Sequence, residues 1–427
     1  MAPSRFETFT ILFSLWLMVF AAASQVIVVT PILPIIGEAL DIPEARRGWI
    51  VTGYAVALAA GALVTGPFSD RFGRRVVLLA GTGTMTLALV LHGLADSFAA
   101  MVAVRTLAGL CGGMLSGAAV SYVGDFFPYE RRGRATGVVM SGTAFGLVFG
   151  VPLGRVLAAS SGFRVPFLVF AAAMAVVFVL IWTRVPQPDV EFDDERITVF
   201  GTLRRYRDLL RDGPVRAAVL TYFLMYLSLS LLVVYLPQWI TNEYPLAVSL
   251  FGRPLVIAGL QIDFIATLFT VGGAASVVLG PAAGSLSDVF GRKPLILISC
   301  LGLAVVVAAM THVVGPRWMV YPFYLAFMSL FALRMAPLQA LLTALVPDRR
   351  RGSLLAFAIA LGQFGLGVGA SIAGPLYAGL GYGACTYASA LTVLLMAGLV
   401  WRYLPEPTGD AQPLPAAAPV AAESDPI

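Results

Sequence analysis

Apolar runs recur along the chain from Ile11 to Trp401, separated by short polar breaks. Each is roughly 20–25 residues, the length a helix needs to cross about 30 Å of hydrocarbon. Transmembrane strands would instead alternate over about ten residues, and no such alternation is present. The runs predict twelve spanning helices, over residues 9–36, 48–69, 76–95, 98–124, 135–158, 164–184, 216–240, 263–284, 294–313, 318–346, 353–379 and 383–403. The first run is too long for a signal peptide and lacks a small-residue cleavage site. It reads as the first span.

The polar breaks orient the spans. With the amino terminus inside, 20 of the 28 cationic residues fall on the cytoplasmic side and six on the outer side. The outer six are Arg46, Arg47, Arg155, Arg164, Arg253 and Arg317. Cytoplasmic loops carry such an excess, so both termini are expected inside, in a cytoplasmic (inner) membrane. Arg105 and Arg334 fall within spans.

One long charged interruption separates two sets of six spans. It divides the chain into an amino-terminal bundle (1–185), a cytoplasmic linker (186–214), a carboxy-terminal bundle (215–405) and a tail (406–427). Ile197, Phe200, Leu203, Leu209 and Leu210 are spaced for an amphipathic helix on the inner leaflet. The Pro/Ala-rich tail reads as disordered. On the outer side, residues 241–263 suit either a small hairpin at 251–254 or a loop along the interface.

Composition agrees. The chain is 59% hydrophobic and 12% charged, with a mean hydropathy of +0.88; soluble proteins are about 25% charged. The expected partners are a lipid bilayer, a small solute and protons, with no nucleic acid, and the chain reads as a monomer. Three cysteines inside apolar runs and two distant histidines suggest neither a disulfide framework nor a metal site, and no cofactor is expected. H-E-x-x-H and G-K-[ST] are absent, as are a G-x-S-x-G at a plausible elbow and paired buried carboxylates. An enzyme is not expected.

The halves repeat. Residues 66–75 (GPFSDRFGRR) match 284–293 (GSLSDVFGRK) at a shift of 218. At a shift of 219, Arg131-Arg132-Gly133 matches Arg350-Arg351-Gly352, and Phe145-Gly146 matches Phe364-Gly365. Gly150 matches Gly369, and Gly162 matches Gly381. Two copies of a six-helix unit joined on one side form parallel halves about an axis along the membrane normal. An alternating-access carrier needs such symmetry; an enzyme or an anchor does not.

The 66–75 loop resembles the signature of the major facilitator superfamily, and 284–293 is placed like its degenerate second copy. The resemblance covers nearly the whole chain and implies an all-α membrane protein of twelve helices in two pseudo-symmetric bundles. It implies a gating set: Gly66, Asp70, Arg71, Gly73 and Arg74 with Asp125, and Gly284, Asp288, Gly291 and Arg292 in the second copy. Asp70 can accept from helix amides, and Arg74 can pair with Asp125 at the inner end of span four. Arg105, followed by a glycine at 109, resembles the arginine of the efflux branch. In span five, Gly146, Gly150, Pro152 and Gly154 resemble the glycine-proline motif of drug/proton antiporters, with Val151 intervening as in sugar-efflux and arabinose-efflux relatives.

Spans one, four, seven and ten line the cavity in this superfamily. On them stand Ser24 and the expected substrate and proton pathway, Gln25, Arg105, Tyr222, Tyr226, Arg334 and Gln339. A charge in mid-membrane costs about 2.5–3.5 kcal/mol on insertion scales, so Arg105 and Arg334 need a cavity or a partner. No carboxylate falls clearly at mid-depth, which suits a neutral or anionic solute better than a cation. The expected function is proton-coupled, rocker-switch efflux of a small organic solute. Uptake by symport and a transport-dead sensor stay open as alternatives.

Overall fold

A computed structural model describes residues 5–188, 206–208, 210–250, 253–254, 256–257, 259–313 and 315–406. The twelve helices are present. In the first half they are Arg5–Ile27 continued by Val29–Ala39, Trp49–Phe72, Arg74–His92, Phe98–Phe126, Tyr129–Phe145 continued to Ser161, and Arg164–Arg184. In the second half they are Gly213–Val233 continued by Leu236–Glu243, Phe264–Phe290, Arg292–Val313, Val320–Ala344, Asp348–Leu380 and Tyr382–Tyr403. They are numbered here as spans one to twelve. Lipid explains their outer surface: Ile298, Leu301 and Val305 of span nine are large, apolar and exposed.

Proline sets the internal breaks. Span one breaks at Val28, and its first segment ends at Ile27, four residues before Pro31. Span seven repeats the arrangement, ending a segment at Val233, four residues before Pro237. A proline lacks the N–H for its i−4 carbonyl and clashes with it. Span five widens to a π turn over Gly146–Gly150 just before Pro152.

The turns repeat too. Gly73 (φ 89°) and Gly291 (φ 87°) join spans two to three and eight to nine. Gly162 (φ 89°) and Gly381 (φ 78°) join five to six and eleven to twelve. Positive φ favours glycine strongly, so the repeated glycines keep the same sharp turns in both halves.

The excursion between spans seven and eight does form hairpins. Ser249–Leu250 pairs antiparallel with Arg253–Pro254, and Val256–Ile257 with Leu260–Gln261. The amphipathic linker helix expected around 197–210 falls mostly outside the described residues, as does the tail beyond 406. Of the linker, Tyr206 is seen stacked on Phe357 of span eleven, ring centroids 4.7 Å apart.

Small residues let helices meet at backbone distance. A Cβ at Gly109 of span four would clash with the Tyr54 carbonyl of span two, whereas one at Gly117 would meet nothing within 4 Å. Gly109→Ala should therefore lower the melting temperature in detergent by several degrees, at an overpacking cost of about 1–3 kcal/mol. Gly117→Ala should not lower it, because alanine favours the helix. Equal melting points for the two variants would contradict this packing.

Candidate functional site: buried arginines and the seam between the halves

Arg105 does not reach for the membrane surface; it is 1% exposed. Its Nη1 donates to Gln25 Oε1 (3.2 Å) and to the Gln25 carbonyl (3.4 Å). Its guanidinium lies over the Tyr54 ring, 4.2 Å from the centroid, and Gln25 Nε2 donates to the Tyr54 hydroxyl (3.0 Å). Spans one, two and four are thus joined by one amide, one phenol and one cation. The cation–π contact gains strength away from water.

Arg334 is 0% exposed and stands in the other half. Its Nη1 is 3.9 Å from Cys300 Sγ of span nine, and its guanidinium faces Phe331 at 5.0 Å. Among the described residues its Nε and Nη2 have no hydrogen-bond partner. The other pathway candidates are spread out: Tyr222 is buried, Tyr226 packs against Gly362 of span eleven, and Gln339 is exposed. Each mid-membrane arginine is held within its own half.

The glycine-proline segment is a packing seam. A Cβ at Gly142 would meet the Trp16 carbonyl at 2.6 Å, and one at Gly146 the Ser24 hydroxyl at 3.0 Å. Gly150 would also clash with Ser24, and Gly154 with Val28. Across the halves, a Cβ at Gly273 of span eight would lie 3.1 Å from Leu147, within the π turn. π turns concentrate at functional sites.

On the arginine-rich face, Arg74 Nε and Asp125 Oδ2 form an ion pair at 2.6 Å. Gly66, Asp70 and Arg71 lie in span two, but their side chains are outside the described set. In the second copy Gly284 is open to substitution, since a Cβ there would meet nothing within 4 Å, and Asp288 is exposed. Arg292 works through its backbone: its N–H donates to Glu406 Oε1 and that of Lys293 to Oε2, both at 2.6 Å. Lys293 Nζ donates to the Trp401 carbonyl (2.9 Å). The first half shows the counterpart. Arg75 N donates to Gln187 Oε1 (3.0 Å), and Arg75 Nη2 to the Trp182 carbonyl (2.6 Å). These caps were missed in the sequence, although Trp182 with Pro186-Gln187-Pro188 repeats as Trp401 with Pro405-Glu406-Pro407, again at a shift of 219.

The described hydrogen bonds between halves gather on the opposite, arginine-poor face. Arg155 Nη2 pairs with Asp263 Oδ2 at 2.7 Å, their side chains 4% and 13% exposed. Arg47 donates to Gln238, whose Nε2 donates to Glu44 Oε1 (3.1 Å). The Tyr235 hydroxyl donates to the Glu44 carbonyl (2.5 Å) and accepts from Gly48 N (3.0 Å). Thr52 Oγ1 donates to the Gly367 carbonyl (2.8 Å). Arg47 and Arg155 read in the sequence only as orienting charges. Removing one partner of a buried ion pair costs about 3–5 kcal/mol.

The family model of the Major Facilitator Superfamily matches residues 15–262 and 218–424. The chain belongs to this superfamily. It is a membrane transporter, not an enzyme. It is 25% identical over 391 residues to the uncharacterized MFS-type transporter YceJ of Bacillus subtilis, covering 89% of this chain and 94% of that one. It is 26% identical over 302 residues to the multidrug resistance protein MdtG of Yersinia enterocolitica, covering 69% of each. Among solved structures, the D-xylose-proton symporter superposes with a TM-score of 0.75 at 19% identity, over 94% of this chain and 99% of that one. The human organic anion transporter MFSD10 superposes with a TM-score of 0.65 at 18% identity, over 93% and 100%. These likenesses establish the fold, two six-helix halves.

Arg105→Ala would leave Gln25 Oε1 without its donor and the Tyr54 ring without its cation. Hydrogen bonds to charged groups are worth about 1.5–3 kcal/mol, so transport in proteoliposomes should fall about tenfold or more. Gln25→Ala should reproduce much of that loss. Unchanged flux in well-folded Arg105→Ala would remove the cluster from the working site.

Proposed function

We propose that the chain exports a small neutral or anionic organic solute by alternating access, driven by proton antiport across a cytoplasmic membrane, with both termini inside. The arginine-poor face is then the outer face. The carrying observation is the span-five seam: a G-x-x-x-G segment wound as a π turn, seated on Ser24 of span one and touching Gly273 of span eight. Its sequence resembles the antiporter motif, and relatives named for multidrug resistance support export. In this reading the Arg74–Asp125 pair stiffens the inner face of the first half and the proposed gating set acts there. Arg105 and Arg334, with Gln25, Tyr222, Tyr226 and Gln339, contribute to the solute and proton pathway.

The charge of the solute follows from the side chains at depth. Both charged side chains near mid-membrane are arginines, and no described span carries a carboxylate there. An organic cation would meet repulsion, whereas a neutral polar or anionic solute would not.

The test is a flux assay in proteoliposomes of the full chain with an imposed pH gradient and a panel of cationic, neutral and anionic solutes. Antiport predicts that a neutral or anionic solute moves against the proton gradient and dissipates it. Movement of solute and proton in the same direction would overturn export in favour of symport. Preference for cations would overturn the assignment of solute class.

A further inference from the structure

The excursion between spans seven and eight is unexplained by the carrier core. Its ends are drawn together. Ala247 bridges to Asp263, Phe264 N donates to the Leu246 carbonyl (2.9 Å), and Arg317 Nη1 donates to the Pro245 and Ala247 carbonyls (2.9 and 2.7 Å). The strand Leu260–Gln261 lies against the Val151–Ser161 segment of span five, in the other half.

Asp263 stands at the base of this excursion and caps span eight. Its Oδ1 accepts from Ala266 N (2.8 Å), while Oδ2 accepts from Arg155 Nε (2.8 Å) and Nη2 (2.7 Å). Arg155 Nη1 donates to the Pro31 carbonyl of span one (2.8 Å). All three guanidinium nitrogens are thereby committed, one to the arginine's own half and two across the seam.

We propose that Arg155 and Asp263 form a clasp on the outer face. Their ion pair is the bond that breaks when the outer face opens. This rests on the alternating-access reading. Separation of spans five and eight as rigid bodies cannot keep a 2.7 Å ion pair. Arg155 stays with span one through Pro31, and Asp263 leaves with span eight. Once apart, both charges meet water, and hydration replaces the pair. The pair therefore stabilises the outward-closed state alone, and weakening it shifts the population towards the open one.

Asp263→Asn isolates the effect, because asparagine still caps the helix and only the charge is lost. Arg155→Gln removes the other partner. Spin labels at Ser161→Cys and Val313→Cys, both exposed at outer helix ends in different halves, report the opening. Cys111, Cys300 and Cys385 are replaced in the background. In proteoliposomes the parent should show one distance, and each neutralised variant should add a longer population. The double neutralised variant should open no further than either single, since one interaction is lost in all three. A parent-like distribution in Asp263→Asn, or additive opening in the double variant, would overturn the clasp. The distances need neither solute nor gradient, so their failure would leave the export reading standing.

Discussion

A guanidinium inside a lipid-embedded bundle must be held by the protein, and the first half is organised around that need. Arg105 of span four holds the carbonyl of Gln25, and Arg155 of span five holds that of Pro31. These carbonyls lie on either side of the break at Val28. The broken helix is thus gripped from two neighbours at once. Their other bonds set the larger geometry. The same Nη1 of Arg105 also donates to the Gln25 side chain in its own half, while Nε and Nη2 of Arg155 reach across to Asp263. One arginine stiffens a half, and the other ties the halves together.

The two faces of the molecule use polar contacts differently. On the arginine-rich face, the described caps and ion pairs stay within a half: Gln187 on span three, Glu406 on span nine, Asp125 on Arg74. These make each bundle a stiff unit. On the arginine-poor face, ion pair, amide cluster and the Thr52–Gly367 contact all cross the seam. Stiff units joined along one face are what a rocking motion requires. Spans eight and eleven, packed on five and two, are the helices that would separate.

Much of this was legible in the chain. Length and hydropathy fix the twelve spans because the bilayer has one thickness, and glycines with positive φ mark the repeated turns because other residues are strained there. Asp125 could be paired with Arg74 because both end helices on the same face. The cross-seam contacts were not legible. Arg155 and Asp263 are 108 residues apart, and charges at outer span ends look alike whether they face headgroups or each other. The caps at Gln187 and Glu406 were hidden differently: they lie just past the last apolar residue, where a hydropathy reading stops. Arg334 was legible as a buried charge, but not its orientation towards Cys300, since only packing decides which face of span ten meets span nine.

The central claim is that transport requires the arginine-poor seam to open. A Cβ at Gly367 would lie 3.6 Å from that of Ala55 across the seam, within the span that a disulfide accepts. Oxidising Ala55→Cys with Gly367→Cys should therefore lock that face. The measurement is solute flux in proteoliposomes before oxidation, after it, and after reduction. The structure predicts flux lost on oxidation and recovered with dithiothreitol. Undiminished flux through a fully formed cross-link would contradict it.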